Sequence, residues 1–255
     1  MSLVKTEIKN DIFYVTLDRA EKKNAFNPEM ISELTGIFKN IPNVRAVLLS
    51  GEGSSFCAGA DLQWMKDMKN YSLEENRRDS EALYAMFKAI LHCQLPVVCK
   101  AQGHVMGGAL GLLAVSDIVI AESQTQFCFS EVKLGLVPAV ISPFVIQKTG
   151  PRAKRWMLTA EVFSSEIAQD VGLVNMISDS SNLGPATDTL VSRFRKLGPE
   201  AVQETKRLLR GLAHWSETEI KKQTTQVIAE RRVSSEGQEG LQAFFEQRKP
   251  KWLLT

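Results

Sequence analysis

The stretch Phe56-Cys57-Ala58-Gly59-Ala60-Asp61-Leu62, followed by Gly103-His104-Val105-Met106-Gly107-Gly108 and then Phe127-Cys128-Phe129-Ser130-Glu131, decides how this chain is read. Two short glycine-containing turns each lead into an apolar helical pattern. Glycines let a ligand approach the main chain, and helix amino termini favour negative charge. An acid arriving beyond an apolar strand completes a pattern suited to oxyanion stabilisation plus proton transfer.

Outward from this stretch, Val4–Ile8 and Ile12–Leu17 alternate like strands around a tight Asn10-Asp11 turn. Asp18 to Asn24 reads as a surface loop. Asn27-Pro28 is an N-cap followed by proline at the first helical position, and Met30, Ile31, Leu34, Ile37, Phe38 and Ile41 keep helical spacing. Ala46–Leu49 predicts a buried strand, Leu62–Met68 a helix, and Ser72 the cap of a longer helix running to Leu91. Pro96–Ala101, Ile118–Ala121 and Gln126–Phe129 predict strands, with Ala109–Val115 a helix. Beyond Ser142-Pro143 the pattern is mostly helical: Ala153–Ala160, a helix from Pro199, Glu217–Val233 and Glu239–Arg248. Strands alternating with helices predict an α/β fold with parallel pairing and ligands beyond the carboxyl ends of the strands. The expected division is a core over residues 1–195 and a helical region over 196–255.

The 255 residues carry a net charge of +2, which demands neither nucleic acid nor an anionic membrane as partner. The four cysteines form no CxxC pair, and the three histidines share no zinc-type spacing with them, so no metal site is expected. Met1 to Asn10 lacks the apolar run of a signal peptide, and no stretch reads as membrane-spanning. A soluble, cytoplasmic protein is expected.

Taken with Leu17-Asp18-Arg19 through Asn24-Ala25-Phe26-Asn27, Asp117-Ile118, Phe127–Leu136 and Glu239–Pro250, these motifs resemble the crotonase superfamily, the enoyl-CoA hydratase/isomerase family, nearly end to end. Asp61–Met65 and Ser130–Pro143 resemble its methylglutaconyl-CoA hydratase-like branch. The resemblance implies a spiral of ββα units with C-terminal helices that hold a homotrimer or a dimer of trimers. It implies an acyl-CoA thioester as substrate, with CoA arriving as part of it and no separate cofactor. It assigns the oxyanion amides to Ala60 and Gly108 and the acid/base to Glu131. Substrate contacts fall to Ala25, Ala58, Asp61, Leu62, Gly107 and Pro138, a phosphate partner to Lys22 or Lys23, and contacts with the nucleotide end of CoA to Phe244 and Lys251.

One departure stands out. Family hydratases use two glutamates, and the first aligns with Gly111. A single carboxylate can add water across an enoyl double bond through one bound water, or shuttle a proton between carbons as a Δ3,Δ2-enoyl-CoA isomerase. A third reading is a non-catalytic acyl-CoA-binding protein. A pocket of Phe127, Phe129 and Leu134 is expected to raise the Glu131 pKa. Asp79 and Glu81 are candidates for a second acid, and Lys133 for pairing with a substrate carboxylate. His104 and Asp117 read as structural, and no GxSxG elbow supports a hydrolase built on His104, Ser130 and Asp117.

Overall fold

A computed structural model describes residues 2–253; Met1 and the last two residues of the C-terminal region fall outside it. The chain opens with β1 (Val4–Lys9) and β2 (Ile12–Leu17), an antiparallel hairpin. Asn10 and Asp11 both take positive φ, 50° and 58°. This is the left-handed pair a two-residue hairpin turn needs, and Asn and Asp tolerate it better than other side chains. Next come α1 (Pro28–Lys39), β3 (Ala46–Gly51), α2 (Leu62–Asp67), α3 (Leu73–Leu91), β4 (Val97–Ala101), β5 (His104–Met106), α4 (Ala109–Val115), β6 (Ile118–Glu122) and β7 (Gln126–Cys128). The remainder comprises α5 (Ser142–Thr149), α6 (Lys154–Thr159), α7 (Ser165–Asp170), β8 (Met176–Ser178), α8 (Ser180–Phe194), α9 (Pro199–Leu212), α10 (Glu217–Val233) and α11 (Ser235–Phe245).

The caps behave as their residue types dictate. Asn27 Oδ1 accepts from the Met30 amide at 2.9 Å, and Ser72 with Glu75 closes a capping box on α3. On α1, Met30, Ile31, Leu34 and Phe38 are buried, each contributing on the order of 1.5–3 kcal/mol over exposure.

The main sheet has six strands in the order β1-β2-β3-β4-β6-β8, parallel from β2 onward. All six residues of β3 are buried, the signature of a strand covered on both faces. α1, α3 and α4 fill one side, and Val191 of α8 packs on Ile12, Ala46, Leu48 and Val98 of the other. In register, Leu17 lies beside Gly51, and Ala101 beside Ala121, so the loops after β2, β3, β4 and β6 leave from one edge. There β5 and β7 form a second, parallel pair, widened by single bridges from Cys57 to Val105 and from Phe127 to Phe163. The three decisive motifs therefore become neighbours in one small sheet.

Three expectations change. Gly103–Gly108 is a strand between two left-handed glycines rather than a simple turn. The part beyond Ser142 contributes β8 to the main sheet. Asp18–Asn24 is not wholly superficial, because Asn24 is fully buried.

Candidate active site

Phe26 pairs alongside Ala60 as in a parallel ladder: its amide donates to the Gly59 carbonyl at 2.7 Å, and its carbonyl accepts from the Asp61 amide at 2.7 Å. Alternate peptide groups in an extended segment point opposite ways. The Ala60 N–H therefore faces away from Phe26, and among the described residues it has no hydrogen-bond partner. The second glycine turn repeats the device. Gly107, held at φ 51°, donates to the Cys128 carbonyl at 2.8 Å, while the Gly108 N–H at the head of α4 has no partner among the described residues. The two segments touch: a Cβ built on Gly59 would lie 2.7 Å from the Met106 carbonyl oxygen and 3.9 Å from Gly107 Cα. Only glycine fits that approach, and each of the two touching glycines is followed directly by one of the unpaired amides.

Glu131 opens the short turn after β7, and a Cβ on Gly107 would lie 3.4 Å from its Oε1. The carboxylate thus lies over the residue preceding Gly108. Its Oε2 is buried without a partner among the described residues, and burial raises its pKa. The wall differs from expectation. Phe127 and Phe129 are buried, with their rings stacked on Phe163 at 5.5 and 5.9 Å, whereas Leu134 is 58% exposed.

Behind the first amide stands a polar hub. Asn24 Nδ2 donates to the carbonyls of Glu52 (2.8 Å) and Ser55 (2.9 Å), and its Oδ1 accepts from the Arg19 amide at 2.9 Å. Arg19 pairs with Asp61 at 2.7 Å and donates to the Ala25 carbonyl. Burial alone would raise the Asp61 carboxyl, but the Trp64 and Gln63 amides and the Arg19 guanidinium outweigh it and hold the pKa low. The Asp61 side chain is therefore spent on capping α2 and on Arg19, not presented to a ligand. Sequence reasoning missed Asn24 because a polar residue in a polar loop carries no sign of burial. Its left-handed φ of 54° adds a conformational reason for asparagine. Replacing Asn24 by alanine should destabilise the fold by about 1–3 kcal/mol in chemical denaturation, since the buried Ser55 carbonyl and the more exposed Glu52 carbonyl lose their donor. Asn24→Gly, which keeps the backbone unstrained, should recover only part of that loss.

The other expected residues are distributed unevenly. Leu62 is 76% exposed, and Ala58 keeps a carbonyl with no partner among the described residues. Ala25 donates to the Lys22 carbonyl, Lys22 is exposed, and the Pro138 carbonyl accepts from Ser142 at the start of α5. Phe244 and Lys251 do not gather here in one chain. Trp252, next to Lys251, is bonded through its carbonyl to Arg45, which precedes the amino end of β3, and Gly240 of α11 packs on its ring. That is the far end of the sheet, about 20 Å from the loop after β3. Neither proposed second acid is free: Asp79 accepts from the Trp64 indole at 2.9 Å, and Glu81 pairs with Arg77.

The volume above Gly111 is filled. A Cβ there would fall 2.5 Å from Phe87 Cζ and 2.7 Å from Ile141 Cγ2. Phe87 is itself fully buried against Phe144, with ring centroids 5.6 Å apart. His104 Nδ1 meets Ser55 Oγ at 3.2 Å, and Asp117 accepts from the Val97 amide and Lys206, both structural settings.

Residues 7–253 match the sequence model of the enoyl-CoA hydratase/isomerase family. The chain belongs to that family. It is an enzyme of this type with the crotonase fold, and acyl-CoA thioesters are the substrates the family handles. A Legionella pneumophila chain of the enoyl-CoA hydratase/isomerase (crotonase) group superposes with a TM-score of 0.93 at 39% identity, covering 99% of both chains. An enoyl-CoA hydratase from Shewanella pealeana gives 0.92 at 38% identity, over 98% of this chain and 96% of its own. Enoyl-CoA hydratase AKT6-1 of Alternaria alternata is 33% identical over 77% of this chain and 65% of its own length. Among the described residues no helix is long and apolar enough to cross a membrane, and no three metal-ligating side chains cluster.

Proposed function

We propose that this family member adds water across the α,β double bond of an enoyl-CoA. The amides of Ala60 and Gly108 hold the thioester oxygen, and Glu131 acts as the one general acid/base. The observation that carries this reading is the meeting of two unpaired amides and one unpaired, buried carboxylate oxygen around Gly107. Water attack at Cβ builds negative charge on the thioester oxygen. Two fixed N–H donors stabilise that enolate, each worth ~3–4 kcal/mol by the cost of removing one such donor. Burial keeps the Glu131 carboxylate basic enough to take a proton from water and return it to Cα. The exposed Leu62, the free Ala58 carbonyl and Lys22 line the approach for pantetheine and phosphate. Phe244 and Lys251 would serve the nucleotide end of a neighbour's CoA in a homotrimer or dimer of trimers, with residues 196–255 as the assembling region. A branched or carboxylated acyl group of the methylglutaconyl type would find Lys133, exposed two residues beyond Glu131, as its partner.

The filled volume above Gly111 favours a second reading, Δ3,Δ2-enoyl-CoA isomerisation, in which Glu131 carries one proton between two carbons and no second acid is needed. Incubation with crotonyl-CoA, 3-methylglutaconyl-CoA and a 3-enoyl-CoA, followed by mass and double-bond absorbance, separates the two. A gain of one water is expected; double-bond migration without mass gain would establish the isomerase instead.

A further inference from the structure

At the opposite end of the sheet from Glu131, a cavity of about 670 Å³ opens between α9 and the amino ends of β4 and β6. Its size is in the range of small-molecule sites. Apolar side chains make much of its wall, among them Leu91, Val115, Phe144, Val202 and Leu209. The charged side chains lining it are three cations, Lys148, Lys206 and Arg210, and one carboxylate, Asp117. Each cation also holds part of the fold in place. Lys148 donates to the carbonyls of Leu113 and Ser116 at the end of α4, Arg210 to that of Leu91 at the end of α3, and Lys206 to Leu95 and Asp117. The bonds to carbonyls satisfy donors without adding a full negative charge, whereas Lys206 and Asp117 form an ion pair at 2.6 Å. Two helix carboxyl ends supply roughly half a negative charge each, so with Asp117 they offset about two of the three positive charges. A net positive field remains inside an apolar cleft, and among the described residues Arg210 uses one of its five donors.

We propose that this cleft binds a medium-chain carboxylate, its head on Arg210 and its unbranched tail along Phe144, Val202 and Leu209. A phosphate or nucleotide would match the charge and waste the apolar wall; a neutral chain would match the wall and waste the charge. The site is separate from the catalytic one and does not depend on the reaction assigned to it. It has one physical link to it, since Phe144 packs on Phe87, which packs over Gly111 one turn beyond Gly108.

Calorimetric titration of the full chain with octanoate, 1-octanol and octylamine tests this. Octanoate is expected to bind saturably with Kd no weaker than about 1 mM, at least tenfold more tightly than the alcohol or the amine. Leu209→Asp places a carboxylate at a 61% exposed position on the cleft, so it should fold normally. It should abolish octanoate binding, with an unchanged elution volume in size-exclusion chromatography showing that assembly through residues 196–255 is intact. Arg210→Gln, which keeps one donor for Leu91, should weaken octanoate about tenfold or more. Equal affinity for octanoate and octanol, no saturable binding, or octanoate binding undiminished in both variants would overturn the proposal. In the last case the acyl pocket would be the octanoate site.

Discussion

Glu131→Gln is expected to lower the turnover number by about 10²- to 10⁴-fold, the span general acid/base catalysis contributes, with acyl-CoA affinity changed by less than a few-fold. Glutamine keeps the shape and can still meet a bound water, but it cannot accept the proton. The amides of Ala60 and Gly108 remain, so the variant should bind product-like thioesters normally by fluorescence or calorimetry. A fall in affinity equal to the fall in rate would mean that Glu131 holds the substrate rather than moving its protons. The same substitution has a stability signature. Burial raises the Glu131 pKa above its unfolded value, so the folded state holds this proton to higher pH than the unfolded chain does. Wild-type stability from this group is therefore full below the unfolded pKa, near 4.3, and is lost as pH rises through the higher folded value. Glutamine carries no such penalty. The melting temperature of Glu131→Gln minus that of wild type should grow from about pH 4 to about pH 7; a difference that shrinks would show that the carboxylate is stabilised in place.

Gly111→Glu, the substitution that would write in the aligned second acid, is expected to destabilise the enzyme strongly and to add no hydratase activity. Even a methyl group at that position would overlap Phe87 and Ile141. Overpacking costs about 1–3 kcal/mol, and a carboxyl forced among buried apolar groups adds a further few. For a chain of this size each kcal/mol lowers the melting temperature by roughly 2–4 °C. Phe87→Ala alone should cost about 3–5 kcal/mol through the cavity it leaves. The double variant should be markedly more stable than the sum of the two losses predicts, because the new side chain enters the vacated space. A double-mutant cycle measured by thermal melting checks this directly, and strict additivity would mean that Phe87 does not guard the position.

Much of this architecture is legible in the sequence because local chemistry writes it. Asn27-Pro28 and Ser72 mark helix starts, β3 is a continuous apolar run, and Gly59 and Gly107 stand where backbones meet. What escapes has no local mark. Asn24 looks like any loop residue until the Arg19 amide of its own loop and the Glu52 and Ser55 carbonyls of the loop after β3 converge on it. β8 is three residues long with no buried position, and α8 runs through Pro185, so nothing in the local pattern of 161–195 announces either. Leu134 is apolar yet exposed, since apolar type alone does not place a side chain inside. The contact of Phe87 with Gly111 joins two helices at positions 24 residues apart, and no periodicity within either helix encodes it.

The fit of Phe87 over Gly111 also bears on how such an enzyme can change over generations. A lineage gaining the second carboxylate at position 111 first meets a variant that folds poorly, while one losing the ring first carries a void with no new chemistry. Each order of substitution crosses a valley before the pair becomes useful. One-carboxylate and two-carboxylate members with this packing are thus separated by a barrier of stability rather than by the number of mutations, and a stabilising change elsewhere in the chain is what would open the passage.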